Sequence, residues 1–151
     1  MLRRRQAAPP QNRSKRLGAA IVETAFVLPI FFTVVLGVVE FGKAFMVSNL
    51  LTNAAREGCR LAIVPGVTAQ EVRDAVRQQV TNTVGITITD AQIPITITPY
   101  AGNPNPNNEP ANANSRDLVE IEVSLPFADV SYTVKFLDGV NLRGQAAMRH
   151  E

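Results

Sequence analysis

Tryptophan is absent from the 151 residues, and cysteine and histidine occur once each, as Cys59 and His150. A single cysteine excludes an intrachain disulfide. A single histidine beside the C-terminus leaves little for a Ser-His-Asp triad or a histidine-rich metal site. Carboxylates alone can hold calcium, but no EF-hand-type loop of alternating Asp or Asn ending in Gly is present. No nucleophile–base pair and no phosphate loop is present either. The chain is therefore read as a non-enzyme, with no catalytic residue, no metal site and no cofactor.

Charge is missing in two places. No acidic residue precedes Glu23, whereas six of the 15 basic residues (Arg3, Arg4, Arg5, Arg13, Lys15 and Arg16) stand before Leu17. From Ala19 onward the balance reverses, to 9 basic against 13 acidic residues. A basic head thus precedes a mildly acidic body. The head carries no aromatic or amide-rich reader, so nucleic acid is not expected as a partner. Between Glu23 and Glu40 no charge occurs at all. Basic residues flanking such a run keep their side in the cytoplasm, which makes Arg13, Lys15 and Arg16 topogenic candidates.

The uncharged run defines the next element. Ala19 to Val39 contains one charge, Glu23, and as a helix covers roughly 30 Å, the thickness of a bilayer's hydrocarbon core. A cleaved secretory signal has a shorter apolar region and a break after it. Here no proline or turn cluster follows, and apolar residues recur at helical spacing through Phe41, Phe45, Val47, Leu50, Leu51, Ala54, Ala55, Leu61 and Ala62. Pro65-Gly66 supplies the stop. The pattern predicts one helix from about Ala19 to Val64, on the order of 70 Å long. Its first half is apolar all round and its second half amphipathic, so that one face packs on a folded domain. Pro29 removes a backbone donor inside it and is the candidate kink. Ala54, Gly58 and Ala62, at i, i+4 and i+8, form a smooth stripe suited to close packing on the protein's own sheet or on a second subunit.

Beyond the helix, Thr68-Ala69-Gln70-Glu71 fits a capping box. Val72, Val76 and Val80 follow at i, i+4 and i+8, and Gly85 ends a short amphipathic helix over about Ala69 to Val84. The period then changes to two. GITIT (85–89), IPITIT (93–98), LVEIEVSL (118–125), SYTVKFL before the Asp138-Gly139 turn, and VNLRGQAAM after it predict a small, largely antiparallel sheet of about four strands. Asp117, Glu120 and Glu122 invite an acid–base reading, but their alternation fits a solvated strand face with Asp117 at the strand's edge. AGNPNPNNEPANANS (101–115) reads as a turn-rich exposed loop. The fold class is α+β: a long N-terminal helix, membrane-spanning then amphipathic, packed on a small sheet with one additional short helix. The expected domains are a basic leader at 1–18, a transmembrane part at 19–39 and an extracytoplasmic α+β domain at 40–151.

Glu23 sits inside the apolar run. An ionised carboxylate at a membrane helix centre costs about 2.5–3.5 kcal/mol on insertion scales. Near the end of the span it can snorkel, or meet the positive end of the helix dipole. A second reading gives it a partner. Cleavage after Gly18 would leave a free α-amine on Ala19, one helical turn from Glu23. A neighbouring chain could offer its own amine to the same carboxylate, so that each buried charge is paired.

A basic leader, a glycine, an apolar segment and a glutamate at the fifth place after the glycine resemble the class III, prepilin-type signal of type IV pilins and pseudopilins. From Gly18 to Ala62 the chain resembles the TadE-like family of tight-adherence pilus proteins, on GAAIVETAFVLPIFF, GVVEFGKAF and NLLTNAAREGCRLA. A further likeness lies in LRGQAAMRHE at the C-terminus. The resemblance implies cleavage between Gly18 and Ala19 by a prepilin peptidase, extraction from the inner membrane into a pilus or pseudopilus, and pairing of Glu23 with a neighbour's N-terminus. It implies the inner membrane, the peptidase, other pilins or pseudopilins and the tight-adherence assembly platform as partners. It places the N-terminus in the cytoplasm and the C-terminal domain outside. The competing reading is a permanently anchored single-pass protein carrying a binding or scaffold domain.

Overall fold

A computed structural model describes residues 13–131 and 139–151, with side chains from Gly18 onward. Helix α1 covers Arg13–Ala62 and α2 Ala69–Val84; strands β1 Ile95–Thr98, β2 Leu118–Pro126 and β3 Asn141–Arg149 follow. The fold is the expected α+β arrangement. The chain divides between Val38 and Val39 into two compact units.

The first unit, as described, is the N-terminal part of α1. Every residue from Gly18 to Val35 is exposed, as an all-round apolar helix requires when its environment is not protein. The helix starts earlier than expected, at Arg13. Arg, Ser, Lys and Leu all tolerate helical backbone and nothing between them and Gly18 breaks it.

In the second unit, α1 turns one face inward. Glu40, Val47, Leu51, Ala54, Ala55, Cys59 and Ala62 are buried at helical spacing. The expected inward set is corrected at two places, because Phe41 and Phe45 are exposed. They satisfy an apolar period but lie off the face that Val47 and Leu51 define. The helix ends at Ala62, where the Val64 amide donates to the Leu61 carbonyl at 3.0 Å in a tightened last turn. Pro65 then disfavours helical backbone at Val64, and Gly66 takes φ +84°.

The α2 helix forms where its signals place it. Thr68 and Glu71 close a reciprocal capping box, and Gly85 at φ 82° caps the other end. Glu109 adds a carboxylate at the same N-terminus, accepting from the Ala69 amide at 2.7 Å. Val72, Val76 and Val80 are buried. Each contributes about 1.5–3 kcal/mol relative to an exposed side chain.

The sheet has order β1-β2-β3, antiparallel throughout. On β2, Val119, Ile121, Val123 and Leu125 are buried, while Glu120 is exposed and Glu122 half-buried. Glu122 meets Arg143 of β3 at 3.4 Å. Two glycines set how closely the helices approach. A Cβ on Gly58 would lie 2.6 Å from Val76 Cγ2 and 3.1 Å from Ile121 Cδ1, which puts the small-residue stripe of α1 against α2 and β2. A Cβ on Gly144 would run into the α1 backbone at Leu51 and Thr52. The Ser48 hydroxyl donates to the Arg143 carbonyl at 2.9 Å beside that crossing.

One expected strand is not formed. GITIT (85–89) is irregular: Gly85 serves as the helix cap, Arg77 Nε donates to the Ile88 carbonyl at 3.1 Å, and Thr81 Oγ1 reaches the Ile86 carbonyl at 3.4 Å. Side chains of α2 thus take the carbonyls that a ladder would need. Arg77 also pairs with Asp74 and Asp90. The sheet therefore has three strands among the described residues. The expected strand SYTVKFL, apart from Ser131, lies outside them.

The loop 101–115 is held down at several points. Pro106 and Pro110 are buried. Asn107 and Asn108 take positive φ (56° and 59°), a conformation asparagine adopts more readily than most residues. Asn108 Oδ1 accepts the Ile97 amide of β1 at 2.9 Å.

Candidate functional site

Gly18, Ala19 and Glu23 all lie on α1, exposed and in helical register, with Glu23 one turn after Ala19. Arg13, Lys15 and Arg16 occupy the preceding turns; their side chains are outside the described set. The Thr24 hydroxyl, beside Glu23, donates to the Ala20 carbonyl at 2.8 Å. The helix continues through Pro29, whose missing N–H leaves the Ala25 carbonyl without its usual helical donor. The Thr33 hydroxyl donates to the Pro29 carbonyl at 2.8 Å.

The glycines without a positive φ separate into two kinds, Gly58 and Gly144 against Gly18, Gly37 and Gly42. Gly58 and Gly144 are demanded by packing, since an added Cβ would collide. Gly18 meets nothing within 4 Å and does not take a positive φ. A glycine inside a helix is unfavourable by about 1 kcal/mol relative to alanine. Nothing in the described fold offsets that cost at Gly18.

The second unit buries several titratable groups, of which Asp117, Cys59 and Glu40 are engaged by the fold. Asp117 is fully buried, not merely at a strand edge. Its Oδ1 accepts from the Tyr100 amide at 2.8 Å and Asn103 Nδ2 at 2.7 Å, and its Oδ2 from the Asn114 amide at 2.8 Å. Burial pushes its pKa up, but hydrogen bonds from Asn103, Asn114 and Tyr100, with His150 nearby, outweigh burial and hold the carboxyl below its ordinary value. A carboxylate depressed in this way adds stability above its unfolded pKa and loses it as pH falls through the folded value. The second unit is expected to weaken below about pH 4. Asp117→Asn is expected to be less stable than the parent at pH 7 and to show a flatter acid dependence. Denaturation followed by tyrosine near-UV circular dichroism at both pH values checks this; parallel acid profiles would remove Asp117 as the cause.

Cys59 Sγ approaches the Ala146 carbonyl at 3.2 Å, and burial pushes the thiol up to about 11, which opposes nucleophilic use. Glu40 is the residue that periodicity did not single out. It ends the uncharged run, yet it is buried and accepts from Ser131 Oγ at 3.1 and 3.2 Å. Only its placement as a charge on the inward face of an amphipathic helix hints at this. Among the described residues, no three His, Cys, Asp or Glu side chains are grouped so as to hold a metal ion.

The geometry therefore leaves one segment whose sequence features the described fold does not use, the exposed start of α1. A family model described as TadE-like protein matches the chain over residues 18–60, beginning at Gly18. No curated protein and no solved structure gives a significant match. The match agrees with the resemblance carried by GAAIVETAFVLPIFF, GVVEFGKAF and the residues that follow; the C-terminal likeness lies beyond it.

Proposed function

We propose, from the TadE-like match over residues 18–60 and the one helix among the described residues that is long and apolar enough to cross a membrane, that this protein is a minor pilin or pseudopilin of a tight-adherence type IV pilus. The coarser premise is a single-pass membrane protein related to the Tad pilus system through the TadE-like family, which is in general not enzymatic. The finer reading concerns processing and assembly. The leader, 1–18, stays in the cytoplasm, held by Arg13, Lys15 and Arg16. The segment 19–39 spans the inner membrane, and 40–151 is extracytoplasmic. A prepilin peptidase cuts between Gly18 and Ala19. Glu23 then pairs with the Ala19 amine of a neighbour as the chain leaves the membrane, and Pro29 loosens the helix for that movement.

The observation that supports this reading most is the TadE-like match that begins at Gly18, an exposed glycine with basic residues before it and Glu23 at the fifth place after it. A peptidase that must approach the backbone supplies a reason for the glycine. The test is the mature N-terminus. Mass spectrometry of the chain from cells with active prepilin peptidase is expected to find a start at AAIVE, and the intact leader in cells without the enzyme. A chain beginning at Met1 in both would leave the permanently anchored reading in its place.

A further inference from the structure

The two faces of α1 become polar at different heights. On the inward face the first charge after the span is Glu40, buried and bound to Ser131. On the outward face the apolar surface continues past Val39. Phe41 is 53% exposed, Phe45 71% and Met46 62%, and all three belong to the outer unit. Polar residues take over only at Asn49, Asn53 and Arg56, which are exposed. Phe41 and Phe45, at i and i+4, share one stripe, with Met46 beside it.

We propose that Phe41, Phe45 and Met46 form a collar that seats the outer domain in the headgroup layer of the bilayer. The occupant follows from continuity. The collar prolongs the apolar surface of the residues that span the membrane, with half-buried Lys43 holding its Nζ out of solvent at the same level, so it rests on the single-pass reading. Its reach also fits. Phe45 and Met46 lie about 10 Å beyond Val39 along a helix, and helical side chains lean back toward the N-terminus. The headgroup region is roughly 5–8 Å deep on each side, and interfacial helices bury their apolar faces by about 5–10 Å. A flexible amphiphilic boundary of this kind suits aromatic and methionine side chains. Glu40, close to the same level, is kept from lipid by the domain's own Ser131.

The absence of tryptophan makes the test clean. Phe45→Trp and, separately, Phe31→Trp each place one tryptophan in the full chain, both at exposed positions. Each variant is reconstituted in phosphatidylcholine vesicles brominated either near the glycerol backbone or near the acyl-chain ends. Phe31→Trp is expected to be quenched best by the deep bromines, which reports the span itself. Phe45→Trp is expected to emit to the blue of water-exposed tryptophan and to be quenched at least about twofold more by the shallow bromines than by the deep ones. Deep quenching at 31 with unquenched, water-like emission at 45 overturns the collar and leaves the span intact. A blue shift at 45 that ignores bromine and grows with protein density assigns the surface to a second copy and overturns the collar as well. No quenching at 31 removes the membrane-spanning premise and the collar with it.

Discussion

On the proposed pilin reading, Glu23→Ala is expected to leave the second unit folded and to remove the protein from the filament. Glu23 is exposed and belongs to the first unit, whereas the buried core lies in the second, so its loss is not expected to unfold that core. If it pairs with a neighbour's amine in a low-dielectric helix bundle, the variant strands that amine without a counter-charge. Breaking one side of a buried pair costs about 3–5 kcal/mol, which corresponds to a drop in incorporation of about a hundredfold or more. Cleavage is expected to persist, because Gly18 and Ala19 are unchanged. Immunoblots of sheared surface filaments against the membrane fraction, with the mature N-terminus checked in parallel, read the two effects apart. Undiminished incorporation of a correctly cut Glu23→Ala chain would eliminate the pairing mechanism while leaving processing in place.

Gly144→Val is the opposite case, with a severe loss of folding and no effect on the helix start. The added Cβ meets the α1 backbone at Leu51 and Thr52, and backbone in mid-helix cannot rotate away as a side chain can. Overpacking typically costs about 1–3 kcal/mol, and more when rigid backbone must move. Against a domain stability of about 5–15 kcal/mol, this collision is expected to separate α1 from β3. Gly58→Ala sets the scale, because its new methyl meets the Val76 and Ile121 side-chain ends, which can yield. Limited proteolysis and amide exchange in detergent should place Gly144→Val well below Gly58→Ala, and both below the parent. Equal protection for all three would mean that the helix–sheet contact contributes little to the unit's stability.

The parts of this fold that were legible are those where a local signal and the tertiary fold agree. The helix α2 is bounded by Thr68, Glu71 and Gly85, each acting on its own neighbours, and its Val72, Val76 and Val80 stripe needs only one cover. The alternation of β2 survives because one face is buried and the other wet. GITIT misled because Ile86 and Ile88 alternate for burial, not for pairing; Ile88 is buried under Arg77 without a ladder. Phe41 and Phe45 misled for a related reason. Hydrophobicity marks where water is excluded, and at that level of the helix it does not distinguish protein from lipid. Asp117, Asn103 and Asn108 were hidden, since an Asn/Pro-rich segment carries the same composition whether it is loose or tied to a buried carboxylate. The candidate site, from Gly18 to Glu23, is a linear pattern on one helix, so its proposed roles rest on the sequence and not on a tertiary arrangement. Gly144 had no signal: its partner lies far off in the chain.

The bond from Ile97 to Asn108 has a bearing on how copies of this chain meet. Among the described residues β1 is a sheet edge, and an edge strand is a template onto which another molecule's strand can add. Here a loop asparagine has taken an outward amide of that short strand before any neighbour arrives. Proteins concentrated side by side, as filament subunits are, meet such edges at high local density. With one outward amide of β1 already bonded within the chain, that edge is a weaker template for strand stacking.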